Sequence, residues 1–308
     1  MKWWMKFLLT LVVAFVAIYF LGPNPKTPIY SEELPDIPSS VTGIEHYISE
    51  HEKRHNIKPN NQARIVWLND SLKQETEYAL VYLHGFSASQ EEGNPVHRTI
   101  AKMFGFNLYL ARLAEHGIDT TDQLIQLTPE KYWESAKEAL MIGKQLGKKI
   151  ILMGTSTGGT QALQLAATYP NLVHALILYS PNIEINDPNA WLLNNPWGLQ
   201  IARKVKNSNF IDPEDERPIY KQYWNKPYRL EAAVALQEML ETTMTKENLN
   251  RIKQPTLALY YYKDEKNQDP VVRVDAIKKM MVTISTTSTL KRVTAMPNPE
   301  AHVLASPI

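Results

Sequence analysis

The sequence predicts an α/β fold: a mostly parallel sheet with helices on both faces, an inserted helical cap, and a transmembrane or signal segment at the amino terminus. Three observations carry this. Short apolar strands alternate with longer amphipathic helical stretches, the pattern of a sheet whose crossovers are helices. The alternation breaks over about residues 182–253, where prolines, tryptophans and charged helical stretches leave no convincing buried strand. An apolar run, residues 7–22, is interrupted only by Thr10. The 308 residues, 44% hydrophobic and 21% charged, suffice for one large core with an inserted subdomain and exclude compositional disorder.

The amino-terminal run follows Lys2 and Lys6 and the amphipathic pair Trp3 and Trp4. It is somewhat short of the ~20 residues of an ideal span. A cleaved signal carries an apolar stretch of roughly 7–15 residues and then a small-x-small site, whereas this run ends in Ile18, Tyr19, Phe20 and Leu21. Residues 1–22 are therefore read as an uncleaved anchor, with cleavage and secretion as the alternative. Either way the lysines stay inside and the remainder is exported. A buried core helix fits less well, because Gly22-Pro23-Asn24-Pro25 ends the run and a proline-bearing linker fills residues 23–40.

The folded domain then spans residues 41–308. A surface helix is expected over 41–55, and strands over 63–68, 78–83, 107–113, 149–153, 174–179, 256–262 and 290–295. Helices are expected near 95–104, 129–146, 159–169 and 271–285. The cap, 182–253, holds Trp191, Trp197, Tyr220, Tyr223, Trp224 and Tyr228. Such aromatic density over a site suits an apolar acyl group, although for any one of these rings a place in the cap's own small core is the plainer reading.

Charge and cysteine content narrow the partners. The 33 basic and 32 acidic side chains leave a formal charge of +1, so no global field favours nucleic acid. With no cysteine, the chain forms neither a disulfide framework nor a Cys-ligated zinc site.

The strand at 149–153 runs into Gly154-Thr155-Ser156-Thr157-Gly158-Gly159 and then into a helix rich in alanine, leucine and glutamine. This strand-turn-helix setting makes G-x-S-x-G a nucleophile elbow, with Ser156 aimed above the sheet edge and small residues two before and two after it. The next amide, that of Thr157, opens a helix and stands ready to stabilise an oxyanion. Upstream, an apolar strand ends in His84-Gly85-Phe86-Ser87; Gly85 lets the chain turn so that the Phe86 amide faces the same place, and His84 bonds loop backbone. A serine needs a base, and the base an acid. His302 follows the last strand and is the only histidine after His174. The acid is Asp269, which precedes Pro270-Val271-Val272 and a helix, or alternatively Asp264, nearer the strand end; Glu265 ranks third.

These residues resemble the α/β-hydrolase superfamily, most closely its carboxylesterase and monoacylglycerol-lipase-like branch, which includes serine aminopeptidase-like proteins. The similarity spans about residues 78–302. It extends to Leu113-Ala114-Glu115-His116-Gly117, similar to the branch's G-H-G loop, and to Leu127-Thr128-Pro129-Glu130-Lys131-Tyr132-Trp133, similar to its proline-acidic-tryptophan helix start. The resemblance implies Ser156 as nucleophile, His302 as base, the Phe86 and Thr157 amides as oxyanion hole, and cofactor-free hydrolysis of carboxylic esters, lipid-like or of short to medium acyl length, through an acyl-enzyme. Three departures stand out. Spacing from Pro255 favours Asp264 as the family's acid while the Asp-x-Val-Val context favours Asp269; Ala301 replaces the glycine usual before the base; and six residues follow His302, so either the closing helix usual in the fold is missing or the chain is truncated, and the His302 loop is expected to be weakly supported.

Two rivals come from other classes. His51-Glu52-Lys53-Arg54-His55 matches the H-E-x-x-H signature of zinc metallopeptidases, but its polar flanks read as a solvated helical face and no third ligand is placed. The other rival is a non-catalytic, membrane-tethered binding protein on a hydrolase scaffold. The presence of serine, late histidine, candidate acids and both oxyanion positions weighs against it.

Overall fold

The computed structural model describes residues 2–212 and 215–308. Helix α1 (Trp3–Phe20) has no buried residue and is, among the described residues, the one helix long and apolar enough to cross a membrane. The segment after it is not a free tether. The Trp133 indole donates to Ser31 O at 2.7 Å, Lys137 Nζ to Ser31 O at 2.9 Å, and Ile37 enters the core. Helix α2 (Val41–Glu52) is capped by the Ser40 hydroxyl, which accepts Gly43 N–H.

The strands follow: β1 (Arg64–Val66), β2 (Thr76–Leu83), then helix α3 (Val96–Phe104), β3 (Asn107–Leu110), α4 (Pro129–Leu146), β4 (Gly147–Thr155), α5 (Thr157–Thr168) and β5 (Val173–Tyr179). Helix α4 starts where the residue types require it, with Thr128 accepting Lys131 N–H and Pro129 in the first turn. Between β5 and the next sheet strand lie α6 (Gly198–Lys206), β6 (Phe210–Ile211), α7 (Pro218–Tyr223), β7 (Tyr228–Arg229), α8 (Leu230–Thr243) and α9 (Lys246–Asn250). Strand β8 (Thr256–Tyr261), α10 (Val274–Thr283) and β9 (Lys291–Met296) complete the chain.

The sheet order is β1-β3-β2-β4-β5-β8-β9, with β1 antiparallel to β3 and every other pairing parallel. Period-two alternation sorts the side chains. Ala79, Val81 and Leu83 of β2, with Ile150, Leu152, Leu176 and Leu178, face a core built with α2, α4, α5, α8 and α10. Leu80 and Tyr82, with Leu108, Leu110, Met153 and Tyr179, face the opposite side, covered by Ala101 of α3 and by Leu304. The pattern of the 182–253 segment predicts a helical cap, and its early part is helical with a small β6–β7 pair. Its later part does something else: Ala232, Leu236, Met239 and Leu240 of α8 join the main core beside α4 and α5.

Candidate active site

In this topology the carboxyl ends of parallel strands converge, and the candidate residues sit there. Strand β4 ends at Thr155, and Ser156 takes φ 51° and ψ −118° before α5 begins. A non-glycine residue rarely adopts that backbone, and it persists only where its surroundings fix it. Here they do: Ser156 N–H donates to Tyr179 O at 2.8 Å, and Ser156 O accepts from Asn182 N at 2.9 Å and from Gly159 N at 2.9 Å. The two flanking glycines are sterically required. A Cβ on Gly154 would stand 2.5 Å from Gly158 O, and one on Gly158 would stand 1.9 Å from Leu83 O.

The loop after β8 brings Asp269 to His302. Asp269 is fully buried; His302 Nδ1 lies 2.8 Å from its Oδ2 and 3.0 Å from its Oδ1, while Val271 and Val272 N–H donate to Oδ1 at 2.9 and 3.1 Å. Burial pushes the Asp269 carboxyl up, but the hydrogen bond and charge of His302 and the two amides outweigh it and hold the group below the usual range. An ionised carboxylate only accepts, so His302 Nδ1 carries the proton and Nε2 is left as the basic nitrogen. Asp264 is placed otherwise. It is exposed and occupied by Asn267, whose side-chain amide and backbone N–H reach it at 2.9–3.0 Å.

The hydrogen bonds of the His302 ring run to Asp269, and among the described residues none joins it to Ser156 Oγ. Before His302 it is Glu300, at φ 52°, that takes the left-handed backbone, so Ala301 replaces glycine without strain. The loop is also better supported than the sequence suggests. Val303 and Ile308 pack with Ala88, Tyr220, Tyr223 and Trp224, and Leu304 packs under the sheet.

The turn after β2 is riveted by side chains. His84 Nδ1–H donates to Gly85 O at 2.9 Å while its Nε2 accepts Leu113 N–H at 3.0 Å. His116 Nε2 accepts Ser87 N–H at 3.0 Å, and its Nδ1–H donates to Ala114 O at 2.8 Å. Each ring therefore needs one protonated and one bare nitrogen. Burial agrees, lowering His84 to about 4 and His116 well below its ordinary value. Asn225 adds another clamp, its N–H donating to Ser87 O at 2.6 Å and its Oδ1 accepting Gly117 N–H at 2.6 Å. Phe86 N–H has no protein acceptor among the described residues, and Thr157 N–H opens α5, where no intrahelical carbonyl reaches it. Asn225 and the buried Glu92, which accepts Gly85 N–H at 2.6 Å, carry no pattern in the sequence that marks them.

The H-E-x-x-H stretch does not form a zinc-peptidase helix. Helix α2 ends at Glu52, so His55 falls past it and the one-face geometry of the two imidazoles is lost. Glu52 is tied to Arg112 Nε at 2.9 Å and to Ala63 N–H at 2.9 Å, and His51 lies against Glu138 at 3.3 Å.

The sequence matches the family described as "Serine aminopeptidase, S33" over residues 80–296, a span that includes Ser156 and Asp269 and ends before His302. No curated protein matches the chain. Solved structures with this fold include one reported for LipS and LipT, two metagenome-derived lipolytic enzymes, at 16% identity and TM-score 0.64, covering 80% of this chain and 91% of that one. Another is a monoacylglycerol lipase from Paleococcus ferrophilus, at 13% identity and TM-score 0.57, covering 78% and 89%. A third is Est1E from Butyrivibrio proteoclasticus with ferulic acid bound, at 17% identity and TM-score 0.53, covering 79% and 87%.

Proposed function

Because this chain belongs to the serine aminopeptidase S33 family of α/β hydrolases, we propose that it cleaves carboxylic esters through an acyl-enzyme on Ser156. The observation that carries the reading is the buried Asp269–His302 pair in the loops after β8 and β9, at the same sheet edge as the strained Ser156 turn after β4. His302 Nε2 takes the Ser156 proton as Oγ attacks the ester carbonyl; the C–O bond to the alcohol breaks as the imidazolium returns that proton to the leaving oxygen. The charge on the tetrahedral oxygen is met by Phe86 and Thr157 N–H. Water then repeats the sequence on the acyl-enzyme, releasing the acid. His302 gains a proton twice and gives it up twice, and Asp269 stays ionised throughout.

The reading extends to ester rather than amide preference. The neighbours named for lipolysis and monoacylglycerol cleavage support this preference. Purified protein should hydrolyse p-nitrophenyl esters, from acetate to palmitate, at least about a hundredfold faster in kcat/KM than aminoacyl p-nitroanilides. Preference for the anilides would replace this reading with an aminopeptidase.

Helix α1 extends the proposal to location: an anchor, with the catalytic domain on the exported side. The full chain should stay with membranes after alkaline extraction and be degraded by protease added outside intact spheroplasts. Recovery in the soluble fraction would favour a cleaved, secreted form, and protection from protease would reverse the orientation.

A further inference from the structure

The chemistry above needs the Phe86 amide aimed at one point, and its own bonds cannot aim it. The groups on either side are engaged: Gly85 N–H by Glu92, Gly85 O by His84 and by Ala88 N–H, Ser87 N–H by His116, and Ser87 O by Asn225 N–H. Resting on the ester-hydrolase reading, we propose that Glu92 is a positioning residue: its carboxylate holds Gly85 N–H and so fixes the turn that presents Phe86 N–H to the carbonyl oxygen over Ser156.

Glu92 is an unusual place for a carboxyl. It is 2% exposed, it has no Lys or Arg partner among the described ion pairs, and a buried, unpaired charge is costly. What it does hold is specific. Its Oε2 accepts Gly85 N–H at 2.6 Å and the Tyr82 hydroxyl at 3.3 Å, and that hydroxyl is 3.0 Å from Thr155 Oγ1, on the residue before Ser156. One chain of contacts thus ties the end of β4 to the turn after β2. The three parts meet at Gly85, where an added Cβ would stand 2.7 Å from Glu92 Oε1 and 3.1 Å from Ser156 Cβ.

The groups facing Glu92 are Tyr82 and Gly85 N–H from β2 and its turn, Tyr132 of α4, which feels its charge, and His302 from the carboxy-terminal loop. Burial pushes the carboxyl up to about 7, against the opposing pull of Gly85 N–H, His302 and Tyr82. Ionisation then strengthens the bond to Gly85 N–H and sets a negative charge facing the imidazolium that forms at His302. Because the folded-state value lies above the ordinary 4.5, the folded chain binds more protons than the unfolded one between these values. Glu92 therefore costs stability as the pH rises from 4.5 through about 7.

The test compares wild type, Ser156→Ala, Glu92→Ala and Glu92→Gln of the full chain in detergent, with p-nitrophenyl butyrate across pH and with thermal melts alongside. Glu92→Ala should lower kcat roughly ten- to a hundredfold, less than the loss of an oxyanion donor outright, with KM changed less than about threefold. Glu92→Gln keeps an acceptor for Gly85 N–H and should recover kcat to within about threefold. Its melting temperature should also gain on wild type between pH 4.5 and 7. A wild-type kcat in Glu92→Ala, with Ser156→Ala inactive, overturns the assignment of Glu92 alone. If Glu92→Ala does not fold, a wild-type kcat in Glu92→Leu, which fills the site but offers Gly85 N–H no acceptor, overturns it equally. Turnover by Ser156→Ala at the wild-type rate instead removes the hydrolase reading, and the role of Glu92 with it.

Discussion

Replacing Ser156 with alanine is expected to lower ester turnover roughly 10⁶-fold while the chain stays folded. In the proposed mechanism Ser156 alone forms the acyl-enzyme, so without it the base has no hydroxyl to deprotonate and the amides no tetrahedral oxygen to stabilise. The fold survives because what holds the elbow is backbone. Ser156 N–H to Tyr179 O, and Ser156 O to Asn182 and Gly159 N–H, are all kept by alanine. Turnover measured beside a thermal melt checks both halves. A dead enzyme that has also lost its melting transition would show only that the turn is structural, whereas full activity in a folded variant contradicts the nucleophile.

The second large effect is expected at Asp269. Asp269→Asn should reduce kcat by about 10⁴, because an amide in that place can present N–H to His302 Nδ1 and leave the imidazole in the tautomer whose Nε2 already carries a proton. Asp264→Asn should stay within about twofold of wild type, since Asp264 is exposed and spends its oxygens on Asn267, Lys266 and its own loop. The opposite ranking reassigns the acid. Stability follows the same carboxylate. Its folded-state pKa is depressed below the ordinary 3.8, so its contribution is present above that value and is lost as the pH falls through the folded one. The melting-temperature gap between wild type and Asp269→Asn should therefore be full near neutrality and close in strong acid.

Much of this arrangement is legible in the sequence because it is local. Seven sheet strands follow from apolar runs bounded by turn residues, and the elbow follows from glycines placed where the structure has no room for a Cβ: 1.9 Å at Gly158 against Leu83 O. What is not legible depends on distant packing. Glu92, in the run Ser89-Gln90-Glu91-Glu92-Gly93, looks like any solvated acid, and only the fold buries it under Gly85. Asn225, in the middle of the segment read as a cap, is given its role by partners more than a hundred residues away. Helix α8 could have been separated from that segment, since Ala232, Ala233, Leu236, Met239 and Leu240 form an apolar stripe at helical spacing. The spacing of His51 and His55 suggests one helical face, but the helix ends at Glu52, whose side chain is bonded to Arg112 and Ala63. At the acid, two aspartates five residues apart share one loop, and the fold distinguishes them by burying Asp269 against His302 and leaving Asp264 exposed beside Asn267.

The central claim is that Ser156 is an activated nucleophile, and fluorophosphonate labelling of the purified protein with mass mapping of the modified peptide reads it directly. A single adduct on Ser156 is expected, absent from Ser156→Ala and strongly slowed in Asp269→Asn. A folded wild-type protein that takes up no label, or carries it on another residue, contradicts it.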